Sequence, residues 1–487
     1  MPAKKKSGHR AASPIIAARL GAHVALEAQA DGNVVARFDE DVQSLGRFAP
    51  AISKRIGELR AGLPLASIER AGAADKDIAL LVKRLAQTGL LEYRLGAKAG
   101  QDDVVIEPQV ADYWPRLSKI GNADTVALSR FAYLRRRGRD MVLESPLAGA
   151  LFRIANPKIA AALAALSQPQ KISRYRKERD FPGLELLGLL LDCQILFKLE
   201  AGDTDGTRRS EGARHLVLWD FHDLLFHTRS TEGRQANPSG GLYGYASAMP
   251  PLPAVRPPWP GKAVDLSGET APQRSPFAQL LHARHSTRDF DDAHPVTLTE
   301  LATLLQTAAR VREKWTDKSD LYGQGPEVSY AARPYPSGGA AYPLEIYLAV
   351  NQCDGLERGF YHYDADRHAL TAIGVRPQDL DAQLATAAFA IGIDAPPQIV
   401  LLIAARFGRV SWKYSSVAYS LILKDVGVLM QTLYLAATDM GLGGCAVGTN
   451  NIELFGRMTG QDFTVEGPVG QFVLGRGRPD GGSTQSG

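Results

Sequence analysis

The chain has 487 residues, with 56 Lys and Arg against 52 Asp and Glu, and three cysteines. That length exceeds one ordinary domain and predicts two or three, each burying its own core. A formal net charge of +4 lacks the dense basic footprint of a nucleic-acid binder, and Cys193, Cys353 and Cys445 are too scattered for a disulfide framework or a zinc site. A reducing cytoplasm and a small-molecule or peptide substrate are expected.

Residues 1–14 carry Lys4, Lys5, Lys6 and Arg10 with no continuous apolar segment behind them, and read as a disordered basic tail rather than a signal peptide. No run reaches the roughly 20 uncharged apolar residues of a membrane span. Even 184–199 is broken by Glu185, Asp192 and Lys198, so no membrane is expected. Within 15–100, two short apolar stretches flank Asp31, Gly32 and Asn33 as a β-hairpin, 45–59 and 77–91 have helical spacing, and 90–95 reads as a strand. That order suggests a winged helix. It recurs within 101–235 as a hairpin at 131–143, a helix at 156–166, and a helix running into a strand over 184–199. Residues 80–85 and 186–191 form a weak internal repeat. Two tandem winged-helix-like modules are expected, with peptide capture on a sheet edge placed ahead of a plain scaffold and of DNA binding. His222 and His227 stand five apart, share no helical face, and read as structural histidines rather than metal ligands.

Residues 236–272 are rich in Pro and Gly and form a linker. The motifs that carry chemistry lie in 273–480, ahead of a flexible tail at 481–487. Arg284 and Arg288 stand four apart with Ser286 between them; planar, permanently charged donors plus a hydroxyl can grip a phosphate, and a solvated surface carries the same pattern. In the loop 333–343, prolines bracket Gly338 and Gly339, so backbone amides can approach a flat ligand; a tight turn before the strand 344–350 has the same composition. A helix over 415–440 runs into Gly441, Leu442, Gly443 and Gly444, which suits a C-cap or close approach to a ring. Cys445 next to it reads as a small buried thiol.

In that order, these motifs resemble the nitroreductase-like flavoproteins over 275–479. The resemblance implies an α+β C-terminal domain that binds FMN. Arg284, His285, Ser286 and Arg288 would face its phosphate, and Pro336, Ser337, Gly338 and Gly339 its isoalloxazine. Gly443 and Gly444 would approach the reactive edge, with Arg476 and Arg478 as further phosphate partners. It also implies a homodimer with FMN at the subunit interface.

The pair Lys413 and Tyr414 sits between a strand at 399–405 and the long helix. With the 221–227 segment and the large N-terminal extension, it is similar to the SagB/ThcOx-type azoline dehydrogenases. That similarity implies oxidation of thiazolines and oxazolines to azoles in a ribosomally made precursor peptide, after a YcaO-type cyclodehydratase has formed the rings. Lys413 would accept the ring proton and Tyr414 would position the ring nitrogen. An exposed lysine beside a packed tyrosine is the ordinary alternative. For the whole protein, the competing expectations are an NAD(P)H-dependent nitroreductase or flavin reductase, and a non-catalytic peptide-binding subunit.

Overall fold

The computed structural model describes residues 15–38, 41–69, 76–96, 102–175, 183–199, 211, 214–234, 243, 245–270, 275–319 and 325–478; the two expected tails lie outside them. Two compact units are present, Met1–Arg229 with Gly233–Asn237, and Ser230–Glu232 with Pro238–Gly487.

The first unit is one plan used twice. β1 (Ile15–Leu20) leads into a meander of β2 (Val24–Ala28), β3 (Asn33–Phe38) and β4 (Asp41–Arg47), then α1 (Ile52–Ala61), β5 (Leu63–Pro64), α2 (Leu65–Glu69), α3 (Lys76–Gln87) and β6 (Leu91–Gly96). After β7 (Val104–Pro108) the order returns. β8 (Thr125–Leu128) leads into a meander of β9 (Tyr133–Arg137), β10 (Asp140–Glu144) and β11 (Ala150–Ile154). Then come α4 (Pro157–Ala164), β12 (Gln170–Lys171), α5 (Ile172–Tyr175), α6 (Gly183–Asp192) and β13 (Leu196–Lys198), and α7 (Phe221–Arg229) follows. Strand pairing repeats as well, β5-β1-β6 in the first copy and β12-β8-β13 in the second, all antiparallel. The weak sequence repeat falls on α3 and α6, whose Leu81, Leu85, Leu186 and Leu190 share one core.

The boundary expected near residue 100 does not divide two bodies. β7 pairs with β6 on one side and β11 on the other, which makes a seven-stranded sheet, β5-β1-β6-β7-β11-β10-β9. The helix expected over 45–59 starts only at Ile52, with Leu45 still in β4, because Pro50 disfavours helical backbone at Ala49 before it. α4 starts where expected: the Asn156 side chain accepts from Lys158 N–H at 3.0 Å and Pro157 opens the first turn. His227 is buried and stacks on Trp219, centroids 5.7 Å apart.

In the second unit, the described linker residues hold hydrogen-bonded turns over 245–249 and a 3-10 turn, Ser267–Glu269, with no α-helix or strand among them. α8 (Pro276–Ala283), α9 (Leu298–Ala309) and the hairpin β14 (Glu313–Lys318) and β15 (Glu327–Ala332) come first. They are followed by β16 (Leu344–Val350), β17 (Gly359–Asp364), β18 (Ala369–Ile373), α10 (Pro377–Ile391), β19 (Ile399–Arg406), α11 (Gly408–Ser411), α12 (Ala418–Asp439), β20 (Gly443–Val447), α13 (Ile452–Thr459) and β21 (Glu466–Gly475). The antiparallel sheet runs β18-β17-β16-β19-β21-β20. Leu380 and Leu384 of α10 and Leu454 and Phe455 of α13 pack on one face with Tyr347, Phe360 and Leu402. α12 lies on the other face, so close that a Cβ on Gly470 would stand 2.6 Å from Met430 and 2.8 Å from Val426. Among the described helices, α12 alone is long and apolar enough to cross a membrane by length and composition. Here Ile422, Val426, Leu429 and Leu433 bury it in the unit.

Candidate active site

The motifs from the sequence gather along α12. Near its start Asp425, 6% exposed, accepts from Ser337 Oγ at 2.5 Å and from Gly338 N–H at 3.1 Å. Ser337 Oγ in turn accepts from Tyr342 N–H at 2.9 Å, and Arg409 of α11 donates twice to Ala341 O, at 3.1 and 3.0 Å. These bonds hold a loop with left-handed backbone at Gly339 (φ 60°), Ala340 (φ 54°) and Tyr342 (φ 43°). Such a conformation is costly for a residue with a Cβ and persists only where its surroundings over-determine it. Burial pushes the Asp425 carboxyl up from its ordinary range, against the two bonds from the loop.

Lys413 and Tyr414 follow α11 in a turn whose two N–H groups donate to Val410 O at 3.0 and 2.9 Å. Their side chains meet the glycine loop. A Cβ built on Gly339 would overlap Tyr414 Oη and stand 2.9 Å from Lys413 Nζ, and Nζ lies 5.4 Å from the Tyr414 ring centroid. Tyr414 is half-buried and Lys413 exposed.

Nine residues beyond Asp425, roughly 13 Å along the helix axis, Tyr434 serves the other motif. Its Oη accepts from Ala446 N–H at 2.8 Å and lies 2.8 Å from Ser286 Oγ, while the Arg284 guanidinium sits 5.1 Å from its ring centroid. With Ala446 as donor, the Tyr434 proton can point to Ser286 Oγ, which frees the Ser286 proton for an outside acceptor. Among the described residues Arg284 and Arg288 make no ion pair; Arg288 and His285 are exposed, and His285 Nδ1 is 3.1 Å from Ala283 O.

Gly443 and Gly444 belong to β20 rather than to a helix cap, which Gly441 (φ 68°) supplies. Neither could carry a side chain: a Cβ would stand 2.6 Å from Thr287 Cγ2 at Gly443 and 2.7 Å from Phe472 Cε1 at Gly444. Thr287 N–H also donates to Gly444 O at 2.8 Å, so these glycines seat the Arg284–Arg288 motif. Arg476 and Arg478 do not join it. Arg476 forks onto Glu300 with both contacts at 2.7 Å and donates to His294 O at 2.8 Å, while Arg478 Nε donates to Phe290 O at 3.1 Å and lies 3.4 Å from Asp289. Asp425 and Tyr434 escaped the sequence reading; the available signal was a lone carboxylate on the buried stripe of an apolar helix.

Residues 281–476 match the Nitroreductase family, and 126–236 match Cyanobactin oxidase ThcOx. The nitroreductase-named protein MJ1384 of Methanocaldococcus jannaschii is 34% identical over 169 residues, 35% of this chain and 76% of that protein. The chain belongs to the nitroreductase family. Its nitroreductase domain is that of an oxidoreductase from a family of flavoproteins. The trifolitoxin-processing protein TfxB of Rhizobium leguminosarum bv. trifolii is 31% identical over 146 residues, 29% of this chain and 38% of that one. The microcin B17-processing protein McbC of Escherichia coli is 29% identical over 126 residues, 24% of this chain and 44% of that one. This chain therefore spans less than half the length of either processing protein. Among solved structures, the E. coli microcin synthetase McbBCD complex with truncated pro-MccB17 bound aligns at 20% identity and a TM-score of 0.36, over 54% of this chain and 96% of that one. The similarity to the ThcOx group, expected from Lys413, Tyr414, the 221–227 segment and the N-terminal extension, is met by the family match over residues 126–236.

Proposed function

We propose that the nitroreductase domain is an FMN-dependent dehydrogenase that converts thiazolines and oxazolines of a ribosomally made precursor peptide to thiazoles and oxazoles. The observation that carries this is the meeting of Lys413 Nζ and Tyr414 Oη at Gly339. The donor set fits FMN: two guanidinium groups that make no ion pair among the described residues, and the Ser286 hydroxyl, at one end of α12, suit a phosphate. The Pro336–Gly339 stretch, where a Cβ on Gly338 would stand 3.6 Å from Leu421, suits a flat ring. When bound, FMN supplies the hydride acceptor.

Lys413 takes the proton from the azoline ring carbon, and Tyr414 Oη donates to the ring nitrogen and orients it. Lys413 is exposed, so the azoline ring of a bound peptide can reach it. The duplicated first unit, read as two winged-helix-like modules, captures the peptide. The ThcOx match over the second copy and the two peptide-processing relatives support that role. A YcaO-type cyclodehydratase supplies the azolines, and the domain works as a homodimer.

Lys413→Ala and Tyr414→Phe should keep the flavin and lose azole formation by about 100-fold or more, read by mass spectrometry as the loss of roughly 2 Da per ring. Full-rate turnover by either variant refutes the assignment. Rapid bleaching of the flavin by NAD(P)H with azolines untouched would replace it with the simple nitroreductase reading that the M. jannaschii relative favours.

A further inference from the structure

Asp425 is a buried carboxylate between Ile422 and Val426 on the packed face of α12, a place where an apolar side chain would pack without the penalty of desolvating a charge. Both of its oxygens are used on the same loop, Oδ2 by the Ser337 hydroxyl and Oδ1 by Gly338 N–H. The Ser337 oxygen takes Tyr342 N–H at 2.9 Å. The bonds therefore run one way, from Tyr342 through Ser337 to Asp425, and only a group that accepts at both oxygens can end the chain. What they close is the stretch 337–342 with its three left-handed residues, and at its tip Gly339 meets Tyr414 Oη and Lys413 Nζ.

We infer that Asp425 is a positioning residue: by accepting from Ser337 and Gly338 it holds the glycine loop in the shape that seats the flavin ring beside Lys413 and Tyr414. Asp425 acts through Ser337 and Gly338, at the ring end of the site and away from the Arg284, Ser286 and Arg288 end. The inference rests on the FMN reading above.

The two ends give the test. The full chain, stripped of flavin, is titrated with FMN and with riboflavin, which lacks the phosphate, by flavin fluorescence. Asp425→Ala should weaken both by about tenfold or more and leave the FMN-to-riboflavin affinity ratio at the wild-type value. Asp425→Asn keeps the size but turns a donor toward Ser337, and should fall between. Wild-type affinities in both variants overturn the inference. So does a changed ratio, since loss at the phosphate end marks general disruption. If Asp425→Ala fails to fold, Asp425→Asn decides alone. A wild-type chain that binds neither flavin removes the FMN reading and this inference with it, which distinguishes the two failures.

Discussion

Replacing Gly339 with alanine probes the point where the loop meets the proposed catalytic pair. Two costs follow from the geometry. At φ 60° an alanine carries the left-handed penalty, about 1–2 kcal/mol. Its Cβ also takes the place of Tyr414 Oη and stands 2.9 Å from Lys413 Nζ, so the phenol must move by about 1 Å, a displacement that costs on the order of 100-fold in rate when it misaligns reacting groups. Gly339 is exposed and the atoms displaced are the ends of side chains, so the fold survives. Melting should fall by only about 2–4 °C per kcal/mol lost. The assay is azole formation on a fixed azoline peptide, followed by mass, with flavin content and Tm measured on the same samples. Gly339→Ala that keeps its flavin and works at the wild-type rate would falsify the placement of Lys413 and Tyr414 against the loop. A variant that loses activity only in proportion to lost flavin would do the same.

Tyr434→Phe removes the hydroxyl between Ala446 N–H and Ser286 Oγ. It should cost about 1–3 kcal/mol of stability and weaken FMN more than riboflavin, which side-by-side titration checks; equal weakening would contradict it. Arg284→Ala and Arg288→Ala should loosen FMN, whereas Arg476→Ala should not, because Arg476 is spent on Glu300; equilibrium dialysis separates the two groups. Burial alone would raise the Glu300 carboxyl, but bonds from Arg476 and Thr297 outweigh it and hold it below its ordinary range. A depressed carboxyl adds stability above its unfolded pKa, near 4.3, and loses it as pH falls through the folded value. Acid titration of Tm should therefore show a smaller drop below about pH 4 in Arg476→Ala than in wild type, and parallel curves would count against the pair.

The local signals were readable without coordinates. Glycines bracketed by prolines, two arginines around a serine, and Lys413 with Tyr414 each announce chemistry through side-chain type and spacing, and the fold brings them to one helix. The partners that position them were harder to see. Asp425 acts on Ser337 from 88 residues away and Tyr434 on Ser286 from 148, and no periodicity links such pairs. Arg476 looked available for phosphate because its acidic partner lies 176 residues upstream. Gly443 and Gly444 looked like room left for a ligand, yet the space is taken by Thr287 and Phe472. In the first unit, leucines repeated at helical spacing hinted at duplication, but the β6–β7–β11 pairing that fuses the copies depends on long-range register.

That shared sheet has a consequence for anyone who wishes to divide the chain. Cutting between β6 and β7 would break the register of Tyr93 with Ile106, Arg94 with Val105 and Leu95 with Val104. Each fragment would then present a freshly opened strand edge next to buried apolar side chains, the kind of surface on which chains stack into aggregates. The two copies are repeated in plan but inseparable in practice, and a fragment made to test the first unit for peptide capture must keep both.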